Sequence, residues 1–257
     1  MMASVLSQAS GIVSENRAAI ALGAALLAVW EIATRGLELP SNLFPPPTWI
    51  LWSLYTRMDL LMEHAWLTFY QTVVGFVVSV ALAIVIGWTI SKSRLLYEAF
   101  YPLIVMLQVV PKEALAPLLI LWFGAGVFSR MVLAFLIAFF PVVINTILGV
   151  RSLDANARNY VASLSCSWWQ SFAKVEFPTA LPTIFAGMKI SVTLAVIGVV
   201  VAEIVAGRSG LGYLLLFASS RLDMGFSLAI LLVLAVWGGV LFGAVVYLER
   251  RAVYWRR

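Results

Sequence analysis

Lys112 and Glu113 stand side by side in the middle of an apolar stretch, Phe100 to Phe123, that is otherwise long enough to cross a bilayer. One charge at membrane depth costs at least about 2.5–3.5 kcal/mol on insertion scales, so two adjacent ones call for a use. Neighbouring helix positions are separated by about 100°, so the two side chains point apart and do not simply neutralise each other. Pro102, Pro111 and Pro117 interrupt the same stretch. Carbonyls freed in this way are tolerated only against protein or a wet cavity. One reading puts Gln108, Lys112 and Glu113 on a polar path for a solute. The other lets the broken span place Lys112 and Glu113 at a surface, with no solute contact. Asn145 and Glu203, each inside a later apolar run, complete the pathway candidates. Glu203 has further readings: an ion pair with Arg208, or a cap. Asn145 and Gln71 also suit hydrogen bonds between helices. Gly210 and Gly212 permit sharp turns and do not form a phosphate-binding motif.

Little else in the chain can do chemistry. There is one histidine, His64, expected in a loop, and one cysteine, Cys166. A zinc or haem site is not expected, and an intrachain disulfide is impossible. No Gly-x-Ser-x-Gly motif accompanies the scattered serines, so no catalytic residue is assigned and the chain is not read as an enzyme. No Walker A sequence is present, so any ATP and Mg are expected on another subunit. This chain is expected to carry no cofactor of its own.

These groups must be positioned by membrane spans. The 257 residues are 63% hydrophobic and 11% charged, against about 45–50% and about 25% in soluble domains. The apolar runs are continuous rather than alternating, which disfavours a β-barrel. The expectation is an all-α polytopic membrane protein surrounded by lipid, with six transmembrane helices. The N-terminal residues are too polar for a signal peptide. Spans are expected near 18–34, 66–90, 100–123, 127–150, 183–206 and 227–248. Pro40 and the prolines at 45–47 break the chain after the first. Trp49, Trp52 and Tyr55 suggest an interfacial helix over 48–62, with a plain loop as the alternative.

Orientation follows from the basic residues near the span ends. With the N-terminus in the cytoplasm, inside segments hold ten of them, including Lys92, Arg94, Arg151, Arg158 and Lys174. Outside segments hold five: Arg35, Arg57, Arg130, Arg208 and Arg221. Both termini are therefore expected in the cytoplasm. The net charge of +5 reports this orientation rather than nucleic-acid binding.

The stretch from Arg151 to Pro182 then lies in the cytoplasm between spans 4 and 5. Ala157, Val161, Leu164, Trp168, Phe172 and Val175 recur every three or four residues, the spacing of one helix face. Pro178 and Pro182 are expected to stop that helix. An apolar face of this kind can dock in a partner's groove, pack on the chain's own spans, or lie on the membrane.

The segment Asn159 to Pro178 resembles the coupling loop of binding-protein-dependent ABC importer permeases. The family pattern is Glu-Ala-Ala, three residues, Gly, nine residues, Ile, one residue, Leu-Pro. Asn159, Tyr160 and Val161 stand at Glu-Ala-Ala, Ser165 at Gly, and Val175, Phe177 and Pro178 at Ile, Leu and Pro. The Glu and the Gly are thus both replaced. Pro111–Gly124, Phe139–Asp154, Trp168–Lys189 and Val200–Leu215 are similar to the nitrate, sulfonate and taurine branch, which also includes riboflavin and thiamine-precursor permeases. The resemblance implies an inner-membrane permease subunit for a small solute, a nitrate-, sulfonate- or taurine-like anion or a vitamin precursor. It implies a second permease subunit in a homodimer, two cytoplasmic ATPases that bind ATP and Mg, and an extracytoplasmic binding protein. Asn159, Val161, Leu164, Ser165, Cys166, Trp168, Trp169, Phe172 and Val175 would couple to the ATPase. Residues 1–65 would add a span and an outer loop, 66–248 would form the permease core around the coupling loop at 151–182, and 249–257 a basic cytoplasmic tail. The alternative class is a secondary transporter or channel that needs no ATPase. A membrane enzyme is disfavoured by the missing catalytic set.

Overall fold

A computed structural model describes residues 17–154 and 167–256, and all their regular structure is helical. The helices are α1 (Arg17–Gly36), α2 (Pro47–Thr56), α3 (Met58–Lys92), α4 (Arg94–Val109), α5 (Ala116–Phe123), α6 (Val127–Arg151), a single turn α7 (Trp168–Ser171), α8 (Phe177–Ala206), α9 (Leu211–Ser220) and α10 (Met224–Ala252). A tight turn, Lys112–Leu115, joins α4 to α5, and a wide one, Phe172–Glu176, joins α7 to α8. Four helical stretches are long and apolar enough to cross a membrane: Met58–Lys92, Val127–Arg151, Trp169–Val205 and Met224–Ala252. The α4–α5 pair, bent by 81°, makes a fifth if it is one span. That is one fewer than the six expected; the 20-residue α1 stands where the first span was expected.

The chain divides into two compact units, residues up to Met58 with Phe217–Leu231, and Asp59–Leu216 with Leu232–Arg257. In the smaller unit, Glu31 on α1 accepts hydrogen bonds from Arg35 and from the backbone N–H and hydroxyl of Thr48 at the start of α2. Arg57 pairs with Asp223 at 2.7 Å and lies over the ring of Phe226.

The larger unit is built around α6. Its Leu133, Ala134, Ala138, Val142, Val143 and Ile147 are fully buried. Between membrane helices the drive to associate is close packing, which favours small residues at the contact. A Cβ on Gly75 or Gly87 of α3 would come within 2.9 Å of α6 atoms, and one on Gly187 of α8 within 2.8 Å of Asn145 Cβ and Pro141 O. Ser191 on α8 donates to Ala138 O on α6 at 2.7 Å.

Three local expectations are corrected. Pro178 and Pro182 do not stop the helix: Pro178 lies in the first turn of α8 and Pro182 inside it. The wide turn explains this, because the Phe177 N–H reaches back five residues to Phe172 O. The missing N–H of Pro178 falls where the ordinary ladder is already interrupted. The helix expected over 48–62 ends at Thr56, and Met58 already begins α3. His64 sits in α3, not in a loop.

Candidate functional site

The break between α4 and α5 opens a cavity of about 400 Å³. Gln108, Lys112, Glu113 and Asn145, four of the five sequence candidates, line it together. The prolines account for the geometry. Pro111 cannot donate and biases Val110 to extended backbone, where its ψ is 127°. Pro117 lies in the first turn of α5, where a missing N–H costs nothing. Pro141 lies in α6 opposite, and the Asn145 side-chain amide donates to its carbonyl at 2.8 Å. Ile137, Phe140, Ile144 and Leu194 supply apolar wall.

Lys112 is 9% exposed and its ammonium is already engaged. It donates to Gln108 O at 2.8 Å and to Val110 O at 3.2 Å, two carbonyls at the end of α4. It also lies 4.5 Å from the centre of the Phe140 ring, a cation–π distance. The lysine therefore caps the broken helix with its own side chain, as cations do at a helix C-terminus. Glu113 is half-buried, and its side chain makes no hydrogen bond or ion pair among the described residues.

Glu203 is elsewhere. It is 0% exposed near the end of α8 and does not line this cavity. Its carboxyl group accepts from the Gly212 N–H at 2.8 Å and from Thr68 Oγ1 on α3 at 2.9 Å. Of the sequence readings, the cap is the one realised: Gly212 is in the first turn of α9. Arg208 is exposed and forms no ion pair among the described residues. The turn from Gly207 to Gly212 wraps the carboxyl group so tightly that a Cβ at Gly210 or Gly212 would meet Glu203 atoms. A Cβ on Gly210 would lie 2.0 Å from Glu203 Oε1, and that residue has φ +103°. The Gly210 N–H donates to His64 Nδ1 at 2.8 Å, and Leu211 N–H to Thr68 Oγ1 at 2.9 Å. Arg130 on α6 is buried and donates to Ser209 O at 3.1 Å. The knot thus ties α3, α6, α8 and α9. His64, Thr68 and Arg130 were missed as members of it. The signal was the spacing of His64, Thr68 and Thr72, a polar stripe on one face of an apolar helix. Gln71 on the same helix is fully buried, and neither of its amide atoms has a hydrogen-bond partner among the described residues.

At the other end of α8, Glu176 organises the start of the coupling region. Its carboxylate pairs with Lys92 at the end of α3 and accepts from Ser171 Oγ at 3.2 Å and Trp88 Nε1 at 3.4 Å. Phe172 packs edge-on against Trp88 at 4.7 Å and also meets Trp169 and Phe177. It is half-buried on the chain's own helix, whereas Trp169 is exposed and Val175 is half-buried. Asn159, Val161, Leu164, Ser165 and Cys166 lie outside the described residues; Trp168 opens α7.

Residues 79–254 match the family described as the inner membrane component of binding-protein-dependent transport systems. A probable ABC transporter permease protein of Haemophilus influenzae is 32% identical over 89% of this chain and 94% of its own length. A putative aliphatic sulfonates transport permease protein, SsuC of Bacillus subtilis, is 32% identical over 91% of this chain and 86% of its own. A riboflavin transport system permease protein, RibX of Chloroflexus aurantiacus, is 34% identical over 90% and 87%.

Proposed function

Because this chain belongs to the family of inner membrane components of binding-protein-dependent transport systems, we propose that the cavity at its broken α4–α5 span is its share of the translocation pathway. The chain is a permease subunit of an ABC importer and not an enzyme. Such a system works with ATPase and binding-protein subunits. In our reading a second copy of this chain completes the pathway, and both termini lie in the cytoplasm. Two cytoplasmic ATPases bind ATP and Mg and grip the loops between α6 and α8. Residues Asn159 to Cys166, with Trp168 and Trp169, would be the gripped surface, and Phe172 would connect it to Trp88. The solute is a small one, a sulfonate-like anion or a vitamin-like molecule, as the names of the relatives suggest.

The observation that carries the reading is the meeting of Gln108, Lys112, Glu113 and Asn145 at one cavity where the helix is broken. Polar groups and irregular backbone at membrane depth are expected where they line a cavity. The test starts from Cys166→Ser, which removes the one native thiol. Single cysteines at Gln108 or Asn145 in the assembled complex should react with a membrane-impermeant thiol reagent. Their rates should change when the ATPases are trapped in the ATP-bound state. Equal rates in both states would remove the cavity from the pathway. ATP-independent uptake by the chain alone would instead favour a secondary transporter.

A further inference from the structure

We infer that the cavity recognises a solute through an amine-type nitrogen, protonated or hydrogen-bond-donating, carried on a flat or apolar body, and that Glu113 is the residue that selects it. This rests on the pathway reading above and names the substrate class for it.

The argument is an inventory of donors and acceptors. An oxyanion such as a sulfonate needs donors. The cavity's strongest donor is Lys112, but two of its three N–H groups go to Gln108 O and Val110 O, and the ammonium rests against the Phe140 ring. Only its third N–H is left for a solute, because releasing either carbonyl would leave it unsatisfied. Asn145 has given one of its amide donors to Pro141 O, which also fixes which end of the amide is nitrogen, since a carbonyl can only accept. Gln108 can donate or accept and so does not discriminate. Glu113 remains, an acceptor with two oxygens and no hydrogen bond or ion pair among the described residues. An anionic solute would meet that carboxylate directly, whereas an ammonium or amino group satisfies it. Ile137, Phe140, Ile144 and Leu194 line the rest, which suits a ring or short chain rather than a compact hydrated ion.

The experiment uses the assembled complex in membrane vesicles, in the Cys166→Ser background, with Ile144→Cys as a reporter and Leu194→Cys as a second. Labelling by a neutral thiol reagent is followed with benzylammonium or benzenesulfonate present, two probes of similar body and opposite charge. Benzylammonium should slow labelling and benzenesulfonate should not. Glu113→Gln should weaken that protection about tenfold or more, the loss expected when a charged hydrogen bond becomes a neutral one. Labelling that benzenesulfonate slows more than benzylammonium, or that neither slows, or protection unchanged by Glu113→Gln, overturns the assignment while leaving the pathway intact. Failure of both reporters to react at all overturns the pathway and this inference with it.

Discussion

Replacing Glu203 by alanine should cost the complex about 3–5 kcal/mol, while glutamine at the same position should cost roughly 1 kcal/mol or less. In the alanine variant the Gly212 N–H loses its acceptor in a fully buried site. A stranded buried donor costs about 1–3 kcal/mol, and the space left by the side chain adds a cavity term of similar size. Thr68 is spared, because it can turn its proton to His64 O at 3.2 Å. Glutamine keeps the shape. Its carbonyl oxygen accepts from Gly212 N–H and one N–H of its amide donates to Thr68 Oγ1, so the backbone donor of Gly212 keeps its acceptor. Gly210→Ala should be severe by itself, since its Cβ would sit 2.0 Å from Glu203 Oε1 at φ +103°. The atoms in the way belong to the Glu203 side chain, so Glu203→Ala removes the clash and leaves only backbone strain. The double variant should therefore be better than the sum of the two singles. The assay is the thermal midpoint of the detergent-solubilised complex. A change of 3–5 kcal/mol should lower it by on the order of 10 °C. Equal losses for alanine and glutamine, or strict additivity with Gly210→Ala, would refute the hydrogen-bonding account of the knot.

Other substitutions probe the remaining contacts. Lys112→Ala should leave assembly intact and lower ATP-driven uptake severalfold, because it uncaps Gln108 O and Val110 O at the hinge of α4 and α5; unchanged uptake would show that the lysine does not set the cavity. Exchanging Lys92 and Glu176 should restore coupling of ATP hydrolysis to transport that either single charge reversal impairs, and an exchange no better than the worse single variant would deny the pair a role. Phe172→Asp should loosen the Trp88 contact and raise futile ATP hydrolysis, and normal coupling would dismiss that aromatic contact. Gly187→Leu should force α6 and α8 apart and abolish stable expression, with a cost of about 1–3 kcal/mol or more for overpacking; a variant as stable as the parent would mean the helices approach less closely.

Membrane spans were legible because continuous apolar runs leave few options in a bilayer. Four long helices and the broken pair fall close to where hydropathy put them. The polar cavity was legible too, since Lys112, Glu113 and three prolines violate the pattern of a span and so mark a place with its own chemistry. Pairings between distant segments were not. Sequence reading offered Glu203 an ion pair with Arg208, five positions on, whereas its partner is Thr68, 135 positions away. Local sequence carries no distance information across helices. Pro178 and Pro182 misled for a different reason. A wide turn upstream absorbs what a proline breaks, and nothing in residue types alone announces that turn.

The two carboxyl hubs give α8 its mechanical meaning. Glu176 and Glu203 are 27 positions apart, about 40 Å along a helix, and their partners on α3, Lys92 and Thr68, are 24 positions apart, about 36 Å, in the opposite sequence direction. The near match is what two antiparallel helices joined at both ends require. With α3 and α8 pinned to each other at each end, and both packed on α6 through Gly75, Gly87 and Gly187, force applied at α7 has little freedom to dissipate by sliding one of these helices past another. The α4–α5 pair is held differently: it turns through 81° at Val110 and Pro111, where Lys112 donates to Gln108 O and Val110 O, and it meets α6 where Arg151 lies 3.7 Å from the centre of the Tyr97 ring. Motion delivered to the three-helix body would, in the proposed reading, be taken up at that turn, which is also where the cavity opens. In the proposed reading, coupling and pathway would then meet at Lys112, at the turn beside the three-helix body.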